Sequence, residues 1–377
     1  MRKEEALARF IEEVAQPKSQ ETVGKLEQHF HRHKDEHAEA FIRSFQLLCR
    51  RIQTKQAQGE KGKIGYITYS MLRTEMMEGR YYYLIDASDR GWFFDRMECQ
   101  EEYDASWAFH FLDVWGYELE REAKAYMGKI TVPDIERLKR KEAKKYNAYM
   151  VSLARYAMPQ ALQVAEYREI KKEEELEVRV GEYLDSSEVV YKEDTREKDA
   201  SVMKEWLEEK EEGVYAYEVF ANLDLFDGEY AGIDLRYTDV RHSTLSHSNL
   251  CQCVLVGTNF MKACLEGANF SSSLIHEANF GGSNLRGAIF HQVEGVRGLL
   301  DSSDWTRPGF QAVNFAGADL SGADFSGANL TGAVFTGAKL TDTNFTGANV
   351  EQAQFSEKDR DTIVLDDRQR AGVIWRS

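Results

Sequence analysis

Large apolar residues recur at every fifth position between residues 220 and 355, and only Gly295 interrupts the series. Two positions before most of them stands a small residue, which is Ala, Ser, Thr or Cys. A period of five fits neither an α-helix, with 3.6 residues per turn, nor a β-strand, in which side chains alternate. It predicts a coil that turns a corner every five residues and directs one large and one small side chain inward on each side.

Four such sides close a square coil, so residues about twenty apart stack on one another and pair their backbones at about 4.8 Å per layer. The segments Ala-Asp-Leu-Ser-Gly (318–322), Ala-Asp-Phe-Ser-Gly (323–327) and Ala-Asn-Leu-Thr-Gly (328–332) follow the pattern A(D/N)LxG. This pattern resembles the pentapeptide-repeat family. The resemblance implies a right-handed quadrilateral β-helix, a solenoid of about seven coils, and implies very little about function.

The first half of the chain has a different character, because helical periodicity dominates it and short β-rich stretches interrupt it. Two pairs of β-rich stretches, each joined by turn residues, are expected as hairpins. Pro17 is expected to end the first helix, and Ser19 is then the N-cap of the second. The expected helices are 4–15, 19–58, 106–127, 134–163 and 198–212, and the expected hairpins are 64–72 with 80–85 and 176–180 with 189–192.

These patterns divide the chain into three parts. Residues 1–213 form a mainly helical α+β domain that resembles no family we recognise, residues 214–357 form the β-helix, and residues 358–377 form a C-terminal cap. The fold class is therefore mixed, with a helical α+β domain followed by a repeat solenoid.

The two ends of the coil need covers, because an end layer would otherwise expose its core to water. Trp206 and Leu207 are candidates for covering the first layer, and Val373, Ile374 and Trp375 can fold back over the last layer. An alternative for the C-terminal group is a homodimer contact, since proteins that resemble this coil often associate through their C-terminal ends.

Three apolar residues are expected to face outward on one side of the coil. Val254 and Leu274 occupy outward positions in adjacent layers, and Val256 lies close by. Exposed apolar neighbours on a rigid face are typical of a docking site. The occupant is either the N-terminal domain of the same chain or a separate protein partner.

Residues 291–310 have lost the repeat pattern, although their length equals one coil. One interpretation is a degenerate coil layer. The other is a bulge that forms a binding notch, with Trp305 and Arg307 at its lip.

The charge balance and the cysteines narrow the class of protein. The chain of 377 residues carries 64 acidic and 48 basic residues, a formal net charge of −16, which argues against direct binding of nucleic acid. The sequence shows neither a signal peptide nor an apolar run long enough for a membrane span. Five scattered cysteines suit a reducing compartment, so we expect a cytoplasmic protein without a membrane partner.

Candidate chemistry is sparse. His29, His33 and His37 share one helix face at a spacing that can surround a metal, but charged neighbours make a solvated face the simpler interpretation. Cys251 and Cys253 are expected to point in opposite directions. The sequence therefore predicts no metal site, no cofactor and no catalytic residue.

Three functions remain open. The first is a non-catalytic scaffold that binds a protein partner through the rigid coil. The second is an acidic mimic of DNA, which the resemblance implies because some pentapeptide-repeat proteins are such mimics and bind or protect type II topoisomerases. In this sequence, however, the acidic residues form no continuous stripe. The third is an enzyme or accessory protein in which the aromatic and acidic residues at 81–103 line a pocket for a peptide or protein substrate.

Overall fold

The protein is described by a computed structural model that covers residues 2–301, 304–309 and 311–377, and the side chains of these except within 298–309. Two compact units account for the chain. One comprises residues 1–194 and 301–308, and the other comprises residues 195–300 and 309–377.

The first unit is rich in helices, and three long ones form its frame. The helices are α1 (Lys3–Phe10), α2 (Gln16–Ala57), α3 (Arg73–Met77), α4 (Ser106–Ala123), α5 (Val132–Ala161) and α6 (Ala165–Glu169). The expected break at Pro17 is wrong. A π-helical turn (Ile11–Ala15) joins α1 to α2 without a break in the helical conformation, and Pro17 directly follows this turn as the second residue of α2, so the irregular hydrogen bonding of the turn accommodates its missing N–H. Ser19 is consequently buried inside the helix and is not its N-cap.

Five strands form a mixed sheet in the order β3-β2-β1-β4-β5. Their bounds are β1 (Ile64–Met71), β2 (Tyr82–Ser88), β3 (Gln100–Asp104), β4 (Lys172–Glu182) and β5 (Ser187–Asp194). The β1–β2 and β4–β5 pairs are antiparallel as expected, whereas β1 and β4 run parallel. Helix α3 lies between β1 and β2, so this connection is longer than a hairpin turn.

The helices cover one face of the sheet and bury its apolar side chains. Phe41 of α2 stacks on Tyr69 of β1 with ring centroids 4.5 Å apart. The hydroxyl of Tyr83 on β2 donates a hydrogen bond of 2.8 Å to Asn147 of α5. These contacts make the first unit a helical layer packed on a sheet.

The second unit is a stacked coil in which four parallel backbone ladders run along the axis. Partners within a ladder are 20 residues apart before the segment around residue 300 and again after it. The first ladder contains seven residues, one for each successive layer: Val219, Asp239, Asn259, Asn279, Asn314, Val334 and Gln354. The five-residue period thus produces the expected solenoid, and its handedness stays a prediction.

Phenylalanines fill two opposite sides of the coil core. One column stacks Phe260, Phe280, Phe315, Phe335 and Phe355 with centroids 4.8 to 5.0 Å apart. The second column stacks Phe270, Phe290, Phe325 and Phe345 with centroids 4.7 to 5.3 Å apart. Rings of the two columns meet edge to face at 5.4 to 5.8 Å, an arrangement that aromatic quadrupoles favour.

The degenerate-coil interpretation of residues 291–310 is wrong. Across this segment the spacing within every ladder changes from 20 to 35 residues, so 15 residues are extra to the coil. Val293 and Gly295 still belong to the coil layer that precedes the extra residues, and the backbone N–H of Gly295 donates a hydrogen bond to the carbonyl of Asn329 in the next layer. The extra residues leave the coil at one corner and include the strands β6 (Gly298–Asp301) and β7 (Asp304–Gly309), which pair.

The remaining elements lie at the two ends of the coil. Helix α7 (Ala200–Glu208) precedes the first layer. Strand β8 (Gln354–Ser356), helix α8 (Asp367–Gly372) and strand β9 (Ile374–Arg376) follow the last. None of the helices in the described part of the chain combines the length and the apolar character of a membrane span.

Candidate functional site

The outward apolar pair lies in a single backbone ladder that runs Asp234, Val254, Leu274 and Glu294. The side chain of Leu274 is 40% exposed, and that of Val254 is half-buried. Their amides donate to carbonyls of the preceding layer at 3.0 and 2.9 Å. Because the backbone on both sides is hydrogen-bonded, the two side chains project from a fixed surface.

Val256 lies at the corner beside this ladder and is half-buried. In the next layer His276 is 9% exposed, and one of its ring nitrogens lies 3.0 Å from the carbonyl of Val296. Burial lowers the pKa of His276 below its usual value. Trp305 and Arg307 belong to β7, and their side chains lie outside the described residues.

The other outward positions of the coil are mostly polar. Asn314 donates to Asn279 of the preceding layer at 2.9 Å, and the side chains of Arg236 and Arg241 bind Asp234 and Asp239 in their own layers. No two acidic residues occupy adjacent rungs of the same ladder, because at least two non-acidic residues separate them. The described coil therefore presents no continuous acidic stripe.

Helix α7 packs on the first layer of the coil. Leu207 is buried in the coil core, and the Trp206 ring lies 5.7 Å from Phe220 and 5.1 Å from Tyr215. The Tyr215 hydroxyl donates to the backbone carbonyl of Trp206 at 2.6 Å. Both predicted cap residues thus contact the layer that they were expected to cover.

At the C-terminal end β9 pairs in parallel with β8 and adds a rung to the first ladder. Val373 is buried in the core, Trp375 is half-buried with its ring 6.0 Å from Phe355, and Ile374 is 37% exposed. Gln369 of α8, which the sequence did not single out, donates to the carbonyls of Phe345 and Ala348 at 2.7 and 2.8 Å. The homodimer alternative stays a prediction.

Three of the four histidines of α2, namely His29, His33 and His37, lie beside two aromatic residues of α4. The Nε2 atoms of His29 and His37 are 3.2 Å apart, and the His33 ring centroid lies 4.6 Å from that of His29. His37 stacks on Trp107 at 4.5 Å, and His29 lies 5.5 Å from Phe111. Burial lowers the pKa of His37 to about 4.

The aromatic segment at 81–103 divides between the core and the surface. Tyr81 and Tyr83 are buried, as aromatic residues usually are, whereas Phe94 is 90% exposed and Phe93 is 55% exposed. Trp92 has a positive φ of 50° and stacks on Tyr66 at 4.6 Å. The segment thus presents two phenylalanines on the surface.

A buried ion pair fixes the loop that carries these phenylalanines. Lys61 Nζ lies 2.7 Å from Asp95 Oδ2, and both side chains are almost fully buried. Asp95 also accepts the backbone N–H groups of Asp89 and Met97 at 2.9 Å. Burial opposes ionisation of Asp95, but the hydrogen bond from Lys61 and those from the backbone lower its pKa overall.

The cysteines show no sign of a shared site. Cys253 is buried, with its Sγ 3.1 Å from the carbonyl of Tyr230, while Cys251 is half-buried. Among the described residues no three His, Cys, Asp or Glu side chains are gathered into a metal-binding group.

The stacked coil, with elements packed on both of its ends, defines the class of protein. The class is a repeat solenoid that follows a helical α+β unit in the chain. Its C-terminal region consists of pentapeptide repeats. The model described as "Pentapeptide repeats" matches it in 8 copies, at residues 233–271, 262–292, 310–347 and 325–357, and no family model matches the N-terminal unit.

Several solved structures are similar to the coil. A trypsin-treated variant of QnrB1, a plasmid-mediated fluoroquinolone resistance protein, is 18% identical over 43% of this chain and 85% of its own, with a TM-score of 0.31. HetL from the cyanobacterium Nostoc sp. PCC 7120, a pentapeptide repeat protein involved in regulating heterocyst differentiation, is 15% identical over 42% of this chain and 97% of its own, with a TM-score of 0.12. A pentapeptide repeat protein from the thylakoid lumen of Arabidopsis thaliana is 20% identical over 42% of this chain and 71% of its own, with a TM-score of 0.13. No curated protein matches the chain significantly.

Proposed function

We propose that this protein is a non-catalytic scaffold that binds a separate protein partner through the ladder of Val254 and Leu274. The observation that supports the proposal most directly is the 40% exposure of Leu274 on a fully hydrogen-bonded coil face. Because 40% of the Leu274 surface is exposed, its burial by a partner would contribute roughly 1 kcal/mol. A rigid surface also loses little conformational entropy on binding.

The flanking residues indicate what kind of partner surface fits. Asp234 lies one layer below Val254 and is paired with Arg236, and Glu294 lies one layer above Leu274. An apolar strip with an acid at its upper end suits an apolar surface that carries a basic residue at its edge.

The DNA-mimic function is less well supported. Two of the acids in the ladders, Asp234 and Asp239, are neutralised by arginines of their own layers, and Asn residues separate others. A mimic of the phosphate backbone needs regularly spaced charge that is free to act. QnrB1 is a fluoroquinolone resistance protein, and the likeness of this chain to it concerns the fold alone.

The experiment replaces Val254 and Leu274 by Asp in the full chain. The positions are exposed or half-buried, but the new aspartates stack on one another beside Asp234 and Glu294, so the free energy of unfolding should fall by about 1–2 kcal/mol and the coil should stay folded. Crosslinking in native lysate followed by mass spectrometry should then lose a partner that the unmodified chain retains. The matched control is Asn249→Asp with Asn269→Asp, on another ladder, which should retain that partner. Equal retention by both variants would refute docking at this face.

A further inference from the structure

We propose that His29 and His37 form a binding site for a divalent transition-metal ion such as Zn²⁺ on the surface of the first unit. The two residues are eight positions apart on α2, and their side chains converge over His33, which lies between them. Their Nε2 atoms approach to 3.2 Å. Both residues are half-buried, so an ion can reach the two nitrogens from solvent.

The separation of the two nitrogens suits a shared metal ion. Imidazole nitrogens bind Zn²⁺ at about 2.0–2.1 Å, so a 3.2 Å separation corresponds to an N–Zn–N angle of roughly 100°, close to tetrahedral. In the absence of a metal, the Nε2–H of one neutral ring can donate to the Nε2 lone pair of the other. When both rings carry their proton on Nδ1, both Nε2 atoms offer a lone pair that a metal ion can accept.

Neighbouring aromatic residues hold the two rings in place. Trp107 stacks on His37 with an interplanar angle of 18°, and its indole N–H donates to the Tyr103 hydroxyl at 3.1 Å, which fixes the tryptophan in turn. Phe111, one turn further along α4, contacts the His29 ring. Rings fixed by their surroundings lose little entropy when they bind a metal, which favours affinity.

The remaining coordination positions face solvent. His33 is 37% exposed and Glu36 is 77% exposed, and the two are 3.5 Å apart. Since no third ligand among the described residues is already in place, water completes the coordination, with His33 close enough to replace one water after a side-chain rotation. Such a two-imidazole site binds its metal reversibly and is unlike a closed structural zinc site.

The test is a titration of the full chain, without any affinity tag, with ZnCl₂ by isothermal calorimetry. One Zn²⁺ should bind, and His29→Gln should weaken binding at least tenfold, because one of two protein ligands is lost. His242→Gln, at an exposed position on the coil, should leave the titration unchanged. Unaltered binding by the His29→Gln variant, or no binding by the unmodified chain, would overturn the proposal.

A second measurement does not depend on a variant. Crystals soaked in ZnCl₂ should show an anomalous peak at the zinc absorption edge about 2 Å from both Nε2 atoms. A peak at Cys251, Cys264 or a surface carboxylate, with none between the histidines, would assign the bound zinc elsewhere and refute the site.

Discussion

Gly295 is the one position at which the coil lacks its large inward residue, and its neighbour Val313 accounts for the exception. A Cβ at position 295 would lie 2.8 Å from Val313 Cγ2 and 3.0 Å from Ile275 Cγ1, too close for real side chains. Val313 stands where most layers have Ala, Ser or Thr. The valine therefore occupies space that a leucine fills in other layers, so the two residues should be energetically coupled.

The size of the coupling follows from these distances. Gly295→Ala alone should destabilise the coil by about 1–3 kcal/mol through overpacking. Val313→Ala alone should cost about 2 kcal/mol, because two buried methyl groups are lost and a cavity remains. In the double variant the new methyl enters that cavity, and we expect a loss of about 1 kcal/mol or less. The coupling energy should then be about 2 kcal/mol or more.

The assay is native-state hydrogen exchange, because it reports on the coil separately from the first unit. The informative amides are those of Ile275 and Gly295, which donate to the next layer at 2.8 Å. Val350→Ala, two layers further along, is the control and should be additive with Gly295→Ala. Losses that add within about 0.5 kcal/mol for the Gly295 and Val313 pair would refute the shared-space explanation.

Two further predictions concern buried charge and protonation. Lys61→Met should destabilise the first unit by about 3 kcal/mol in urea unfolding, because it leaves the buried carboxylate of Asp95 unpaired. The control Lys63→Met, at an exposed position, should have little effect. Equal losses of stability in the two variants would contradict the argument from the buried ion pair. Burial lowers the pKa of His276 in the native coil. Below about pH 6.5 the unfolded chain therefore binds a proton at this residue more readily than the native coil does. The stability that neutral His276 contributes above that pH is lost as the pH falls. His276→Gln should reduce the decline in melting temperature at acid pH, whereas the control His242→Gln should not. If the dependence of melting temperature on pH is the same with His276→Gln, His276 is not the group responsible.

The coil was predictable because its information is local. Each five-residue side carries its own inward pair, and the phase of the pattern already placed Val254 and Leu274 outward, as the ladder shows. The insertion was not predictable from its length, because a looped-out segment and a degenerate layer have the same sequence signature. The backbone partners within each ladder distinguish the looped-out segment from a degenerate layer, and these partners depend on contacts between layers that the sequence pattern does not specify.

The first unit shows where local patterns fail. Pro17 indicated a helix end, but a π-helical turn absorbs its missing donor. Strand β3 was missed because its residues Gln100, Glu101 and Glu102 are polar, which an edge strand tolerates. The exposure of Phe94 was also unexpected, since aromatic density usually indicates core. The 3.2 Å approach of the two histidine rings on α2 required side chains to reach along two helical turns, a geometry that spacing alone does not specify.

The 15 extra residues of the segment around residue 300 leave the neighbouring rungs undisturbed, since Gly295 pairs with Asn329 and Asn279 pairs with Asn314 as if the segment were absent. Chain length at this corner is therefore independent of the number of layers. A change in the length of the segment would leave the pairing within the coil intact. Residues 301–308 belong to the first compact unit, so the effect of such a change would fall on that unit.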